Sequence, residues 1–176
     1  MREESGWTLI EVLIVAVLLT IVLGGTLNLL DTTAKVAPAE QERAEAVREA
    51  QVGLARMTRE LRQATKVLPL APAPGATGSV VQVETPVKGV TQTVKYDCSQ
   101  PSRSLPSTAK ACVRTQLGST RVEYTIDRVL NTTVFTRTGN NYFAVRIEVP
   151  ASGERKKGLR HRIVLDDGFY MRNITN

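Results

Sequence analysis

Aromatic side chains are scarce in this sequence of 176 residues, at 5% of the total, with one Trp, four Tyr and three Phe. A globular core must therefore be built mainly from Val, Leu and Ile. Histidine occurs once, at His161, and no Ser or Cys is spaced around it as a nucleophile would be. We therefore expect a protein that is not an enzyme, with no catalytic residues, no metal site and no cofactor.

Cysteine is also rare, with two residues, Cys98 and Cys112, on a segment rich in Pro and Ser. No histidine and no further cysteine lies near them, which argues against a zinc site. A disulfide that closes a loop of this size stabilises a fold by roughly 3 kcal/mol in the chain-entropy model. We expect a Cys98–Cys112 disulfide if this part of the chain lies in an oxidising compartment.

Charge is missing from one long segment, Val12 to Leu30. These roughly 19 residues span about 28 Å as a helix, close to the hydrocarbon thickness of a bilayer. One carboxylate, Glu11, lies at the start of the run, where an ionised group costs on the order of a few kcal/mol and marks function. The only cationic candidate at that depth is a new amino terminus on Trp7, from this chain or a neighbour. This amino terminus exists only if the chain is cleaved after Gly6.

Gly6, Trp7 and Glu11 occur in the motif G-W-T-L-I-E-V-L, followed by the apolar run. This motif resembles the processing signal of type IV prepilins and of the pseudopilins of type II secretion. The resemblance implies a leader over residues 1–6, removed behind Gly6 by a membrane-embedded prepilin peptidase that also methylates the amine of Trp7. It implies that Glu11 pairs with a neighbouring subunit's amine during filament assembly. Trp7 replaces the usual Phe of the family, and the leader lacks the usual excess of basic residues.

Two other interpretations of the apolar segment stay open. A secretory signal peptide begins with basic residues and is cut behind the apolar region, where Ala37-Pro38-Ala39 is a poor cleavage site. A plain single-pass anchor would tolerate Glu11 near the membrane interface.

An amphipathic pattern follows the apolar run. Apolar residues recur at alternating spacings of three and four, at Val47, Ala50, Leu54, Met57, Leu61, Ala64 and Leu68. This spacing is typical of a helix with one buried face. We expect an N-terminal helix over residues 7–67, transmembrane over 7–30, and then a proline-rich linker over 68–78 that cannot remain helical.

Residues 79–176 alternate between apolar and polar types, as strands with one buried face do. The predicted strands are 79–85, 92–96, 121–126, 133–137, 142–149, 162–165 and 169–173. Residues 138–141 and 166–168 suit tight hairpin turns because Gly and Asn accept positive φ. Calcium binding by Asp166 and Asp167 is a weaker alternative for the second turn. The predicted fold class is α+β, a long helix packed on a mostly antiparallel sheet, as in pilins.

Residues 56–67, together with the later segments VEYTID and FTRTG, resemble the sequences of J-type minor pseudopilins and their type IV pilus counterparts. The resemblance implies a minor subunit, at the tip or in initiation, of a type IV pilus, type II secretion or DNA-uptake machine. Its partners would be other pilin or pseudopilin subunits, the prepilin peptidase, the inner-membrane assembly machinery and the lipid bilayer. The chain would cross the inner membrane once, with its globular domain outside the cytoplasm, and then enter a filament or reach the cell surface.

A basic cluster near the C-terminus leaves a second function open. It consists of Arg155, Lys156, Lys157, Arg160 and Arg162, in a chain of formal net charge +6. Such a cluster can contact DNA phosphates in a salt-dependent way, although no interleaved aromatic offers a stacking platform. The alternative function is a membrane-anchored DNA-binding receptor for transformation. Solvated or subunit-facing charge is the interpretation we favour.

Overall fold

The computed structural model describes residues 9–87, 89–150 and 162–172. Its contacts divide the chain into two units, Met1–Gln41 and Glu42–Asn176. A single helix assignment, α1, covers Leu9–Arg62 and so contributes to both units. Residues 9–41 of α1 make up the described part of the first unit. The second unit consists of residues 42–62 of α1 and two β-sheets.

The helix ends at Arg62, earlier than the predicted residue 67. The amide of Gln63 donates to the carbonyl of Glu60 in a last tight turn, at 3.1 Å. The amide of Thr65 then donates to the carbonyl of Glu84 at 2.8 Å. The chain leaves the helix because its backbone pairs with a strand from there on.

Nine strands follow the helix in the described residues. They are β1 (Lys66–Val67), β2 (Thr77–Gly78), β3 (Val80–Val87), β4 (Val90–Pro101), β5 (Lys110–Gln116), β6 (Val122–Val129), β7 (Phe135–Thr138), β8 (Tyr142–Pro150) and β9 (Arg162–Tyr170). They form a five-stranded large sheet in the order β1-β3-β4-β5-β6 and a four-stranded small sheet in the order β2-β7-β8-β9. Every pairing is antiparallel. The predicted α+β class is therefore confirmed, with two sheets in place of one.

The predicted linker, residues 68–78, lies outside the helix as expected, but it is not free of strand structure. Its last two residues, Thr77 and Gly78, form β2 and pair with Thr136 and Phe135 of β7. Nearer its start, the amide of Leu68 donates to the carbonyl of Gln82 at 2.9 Å. The linker is therefore fixed to both sheets.

One predicted hairpin turn is confirmed and the other is wrong. Thr138 pairs with Tyr142 across the turn between β7 and β8, and Gly139 has a φ of 68° there. Residues 166–168, by contrast, lie inside β9 and pair with β8. A Cβ atom at Gly168 would lie 2.3 Å from the hydroxyl oxygen of Tyr142, so a larger residue there would require the Tyr142 ring to move.

The predicted disulfide between Cys98 and Cys112 is present. It joins β4 to β5, neighbouring strands of the large sheet, and both cysteines are fully buried. Strand β5 was not among the predicted strands, because the segment between the cysteines is rich in Pro and Ser. Only part of the region between the cysteines is a loop, since β4 continues to Pro101 and β5 begins at Lys110.

The predicted apolar stripe forms the helical side of the core. Its buried members are Ala50, Leu54, Met57, Leu61 and Ala64, whereas Val47 and Leu68 are half-buried. They join one apolar cluster with valines and Tyr96 of the large sheet and with Phe135, Phe143 and Phe169 of the small sheet. Burial of each large side chain contributes about 1.5–3 kcal/mol.

The helix lies very close to the large sheet at Gly53. A Cβ atom at this position would lie 2.3 Å from Cγ1 of Ile126 and 2.5 Å from the carbonyl oxygen of Thr125. Both neighbours belong to β6, and one of them is backbone that cannot rotate away. The absence of a side chain at Gly53 therefore sets the distance between helix and sheet.

We predict that Gly53→Ala lowers the free energy of unfolding by about 1–3 kcal/mol, as overpacking of a well-packed core does. Alanine is otherwise the better helix former by about 1 kcal/mol, so the expected sign is opposite to that of helix propensity. Denaturant unfolding of the full chain in detergent measures the effect. Gln51→Ala, at an exposed position of the same helix, is the control and should change stability little. A Gly53→Ala protein as stable as the wild type would contradict the close contact.

Candidate functional site

The first half of α1 is a candidate membrane span over Leu9–Ala34, judged by length and composition. Its large apolar side chains are between 47% exposed, at Val15, and 85% exposed, at Leu9. None of this span is buried against other described residues. A helix that is apolar on all sides needs a bilayer or other helices around it.

The hydroxyl groups in this helix bond to its own backbone. Thr20 donates to the carbonyl of Val17 at 2.7 Å, and Thr26 donates to the carbonyl of Leu23 at 2.9 Å. Thr32 and Thr33 do the same further along. Such bonds reduce the cost of placing a hydroxyl group in lipid, where no water satisfies it.

Glu11 lies in the first turn of α1 and is exposed. The predicted cleavage site, Gly6, and the predicted methylation site, Trp7, lie outside the described residues. The structure therefore gives the position of one of the three predicted processing and assembly residues.

Most of the basic cluster, Arg155, Lys156, Lys157 and Arg160, also falls outside the described residues, as does His161. Arg162, the first residue of β9, is described. Its guanidinium donates to Oε2 of Glu148 on β8, at 2.8 Å. This carboxylate offsets the charge of Arg162, which makes it a weaker candidate for a phosphate contact than the sequence alone indicated.

A charged cluster that the sequence analysis missed lies between the helix and the large sheet. Arg114 of β5 donates from Nε and Nη2 to the two carboxylate oxygens of Glu60, at 2.8 and 2.6 Å. The hydroxyl of Tyr96 donates a short hydrogen bond to the same carboxylate. The side chains of Arg114 and Glu60 are only 13% and 17% exposed. Arg114 directly after the apolar residues Ala111, Cys112 and Val113 was the available signal, but β5 itself was not recognised.

The hydrogen bonds to Glu60 favour its charged form. Burial alone would raise the pKa of Glu60, but the hydrogen bonds from Arg114 and Tyr96, with the charge of Arg114, outweigh it and lower the pKa below 4.5. Burial and the neighbouring Glu60 charge raise the pKa of the Tyr96 hydroxyl far above its ordinary value. A carboxylate stabilised in this way is a poor general base. We therefore interpret the cluster as a structural contact between the helix and the large sheet.

Two further polar contacts join the helix to β6. Arg56 forms a bidentate ion pair with Glu123. Glu49 accepts a hydrogen bond from the amide of Asp127 at 2.9 Å and lies 3.4 Å from the guanidinium of Arg128. Together with Glu60, these residues connect three turns of the helix to the sheet.

Within residues 9–87, 89–150 and 162–172, no three His, Cys, Asp or Glu side chains converge as metal ligands. The suggested calcium ligands have other contacts. Oδ1 of Asp167 accepts a hydrogen bond from the amide of Gly168 at 2.8 Å, and Asp166 lies 3.9 Å from the guanidinium of Arg146. Since these residues form a strand, they do not make a cation-binding turn.

Comparison of this chain with family models, with curated proteins and with solved structures yields no match. The similarity of residues 6–13 to the prepilin signal remains an interpretation of the sequence. What the structure supplies independently is an exposed apolar helix with one carboxylate in its first turn, on a chain with a disulfide-bonded α+β domain.

We predict that Glu60→Gln lowers the free energy of unfolding at neutral pH by about 1–3 kcal/mol, because it removes the anion that Arg114 and Tyr96 bind. A carboxyl group with a lowered folded-state pKa stabilises the fold above its unfolded pKa and loses that contribution as the pH falls. The difference between wild type and Glu60→Gln should therefore shrink below pH 4.5, the ordinary Glu value.

Denaturant unfolding over a pH series measures this effect. Glu84→Gln, on the neighbouring strand β3, is the matched control and should follow the wild-type curve. A Glu60→Gln difference that is constant with pH would mean that the carboxylate charge is not what stabilises the contact.

Proposed function

We propose that this chain is a type IV pilin-like filament subunit, and a minor one that acts at the tip or in initiation. The machine would be a type IV pilus, a type II secretion system or a DNA-uptake apparatus. The observation that carries the proposal is Glu11, a carboxylate at the start of an exposed apolar helix and four residues behind Trp7. A helix that serves only as a membrane anchor requires no charged side chain at the position of Glu11.

Processing comes first in the proposed mechanism. The prepilin peptidase cleaves behind Gly6 and methylates Trp7, which leaves an amine at the membrane boundary. The chain then spans the inner membrane once, with its globular domain on the periplasmic side. The Cys98–Cys112 disulfide supports this orientation, because disulfides persist in oxidising compartments.

Assembly then transfers the apolar helix from the bilayer into a filament. Each large aliphatic side chain costs about 1.5–3 kcal/mol when it moves from apolar surroundings into water. The exposed side chains from Leu9 to Leu30 therefore favour direct transfer to a core of similar helices. Glu11 pairs there with the Trp7 amine of a neighbouring subunit. Apolar contact supplies most of the energy, and the charge pair selects the register, as buried polar groups do in other helical assemblies.

The assignment to the minor class is supported by the similarity of residues 56–67 to J-type pseudopilins and by the mid-chain disulfide. In major pilins the disulfide usually encloses a segment near the C-terminus. Partners of the chain in this role are other pilin or pseudopilin subunits, the peptidase and the inner-membrane assembly machinery.

The rival function, a membrane-anchored DNA receptor, has less support. Its basic cluster includes Arg162, whose charge is offset by Glu148. The two functions coincide if the filament belongs to a DNA-uptake apparatus.

We predict that the mature chain begins at Trp7 and carries one added methyl group. Intact-mass measurement of protein extracted from membranes of cells with and without the peptidase tests this. In the absence of the peptidase, residues 1–6 should be retained. A mature amino terminus behind Ala39 would instead identify the segment as a secretory signal peptide.

We predict that Glu11→Gln leaves membrane insertion unchanged and strongly reduces incorporation into sheared filaments. The amide keeps the size of the side chain but cannot pair with an amine as an ion. Asp31→Asn, which removes a carboxylate just behind the apolar run, is the matched control and should be incorporated normally. Quantitative immunoblotting of membrane and filament fractions gives both values. Incorporation of Glu11→Gln at the wild-type level would refute the pairing mechanism for this subunit.

A further inference from the structure

Three arginines line one surface cavity of about 420 Å³ where α1 ends. Arg59 and Arg62 come from the last turn of the helix, and Arg172 follows β9. The remaining lining residue is Gln63, an amide. The wall of this cavity therefore offers hydrogen-bond donors and positive charge, and no carboxylate of the described residues lines it. We name it the arginine cavity.

Cations at a helix C-terminus ordinarily cap the last carbonyl groups, but here other groups do so. The carbonyl of Glu60 accepts from the amide of Gln63, and that of Leu61 accepts from the amide of Ala64. The carbonyl of Arg62 accepts from the amide of Arg172 at 3.2 Å. The guanidinium groups of the arginine cavity are therefore not engaged as helix caps.

Ion pairing also leaves these guanidinium groups largely unused. Arg62 lies 3.9 Å from Asp167 and donates to the carbonyl of Gly168 at 3.3 Å. Within the described part of the chain, the side chains of Arg59 and Arg172 have no carboxylate partner. Arg56, one turn before Arg59, is by contrast paired with Glu123. Like charges gathered around one cavity repel each other, and a bound anion would relieve that repulsion.

We propose that the arginine cavity binds a compact phosphate group that carries two or more negative charges. Guanidinium groups match the geometry of phosphate oxygens by paired N–H donors. Several guanidinium groups around one space suit a phosphate monoester or pyrophosphate better than the singly charged, regularly spaced phosphates of a nucleic acid. No aromatic side chain lines the cavity for a base to stack on. The group can belong to a soluble phosphate compound or to a lipid headgroup.

The experiment uses the full chain in an uncharged maltoside detergent. Isothermal titration calorimetry with sodium pyrophosphate tests the soluble source, and titration with dihexanoyl phosphatidic acid tests the lipid source. The variant is Arg59→Gln with Arg172→Gln, both at exposed positions. The matched control is Arg121→Gln, an exposed arginine on the turn before β6. Thermal unfolding verifies that all proteins remain folded.

We expect saturable binding of at least one of the two compounds, weakened by added salt. The double variant should bind at least about tenfold more weakly, because each lost guanidinium removes charge-assisted hydrogen bonds. Arg121→Gln should bind as the wild type does. Binding of pyrophosphate alone would assign a soluble source, and binding of the lipid alone would assign a headgroup.

Three results would overturn the proposal. They are an absence of saturation at millimolar concentrations of both compounds, equal affinity of the double variant, and equal weakening by Arg121→Gln. The last result would mean that net charge alone attracts the anion. Because none of these measurements involves filament assembly, the proposal can fail while the proposed function stands, and the reverse also holds.

Discussion

The globular unit depends on the close approach of residues 42–62 of α1 to the large sheet. Small residues occupy the buried face in the first turns of this stretch, at Ala46, Ala50 and Gly53, and larger ones follow at Met57 and Leu61. The backbone can therefore come nearest to β6 at Gly53, where no Cβ atom intervenes. Elsewhere the buried side chains of the helix and the two sheets fill the space between them. A fold with few aromatic residues obtains its core in this way.

Apolar contacts hold the helix on the sheet but do not fix its rotation about its own axis. The polar contacts fix that rotation. Glu49 and Arg56 bond to β6, and Glu60 bonds to Arg114 of β5. Each contact has one favourable geometry, so together they determine which face of the helix meets which strand. Buried ion pairs contribute little net stability because desolvation offsets the attraction. Their value in this domain is that any other register would leave Glu60 or Arg114 buried without a partner.

The sequence predicts those features that depend on local periodicity or on chemistry along the chain. The apolar stripe, the turn at Gly139, the disulfide pair and the α+β class belong to this group. Prediction from the sequence failed where contacts between residues far apart in the chain determine the structure. Asp166 and Asp167 look like a turn until β8 pairs with them, and β5 follows a Pro- and Ser-rich segment that masks its start. The helix end at Arg62 depends on pairing of Thr65 with β3. Glu60 and Arg114 could not be linked because their contact spans 54 positions of sequence.

The two halves of α1 pose different physical problems, and the difference bears on function. Residues 42–62 need one apolar face, which the sheets cover. Residues 9–34 are apolar on every side, so no single sheet can cover them, whereas lipid or a bundle of helices can. In lipid alone the Glu11 carboxylate has no cation to meet, and its burial there is costly. In a bundle that brings a neighbour's amine to the same depth, the same carboxylate becomes an attraction. Under the proposed function, a charge that disfavours the isolated helix and favours the bundle would select for assembly, and only in the register in which the amine reaches the carboxylate.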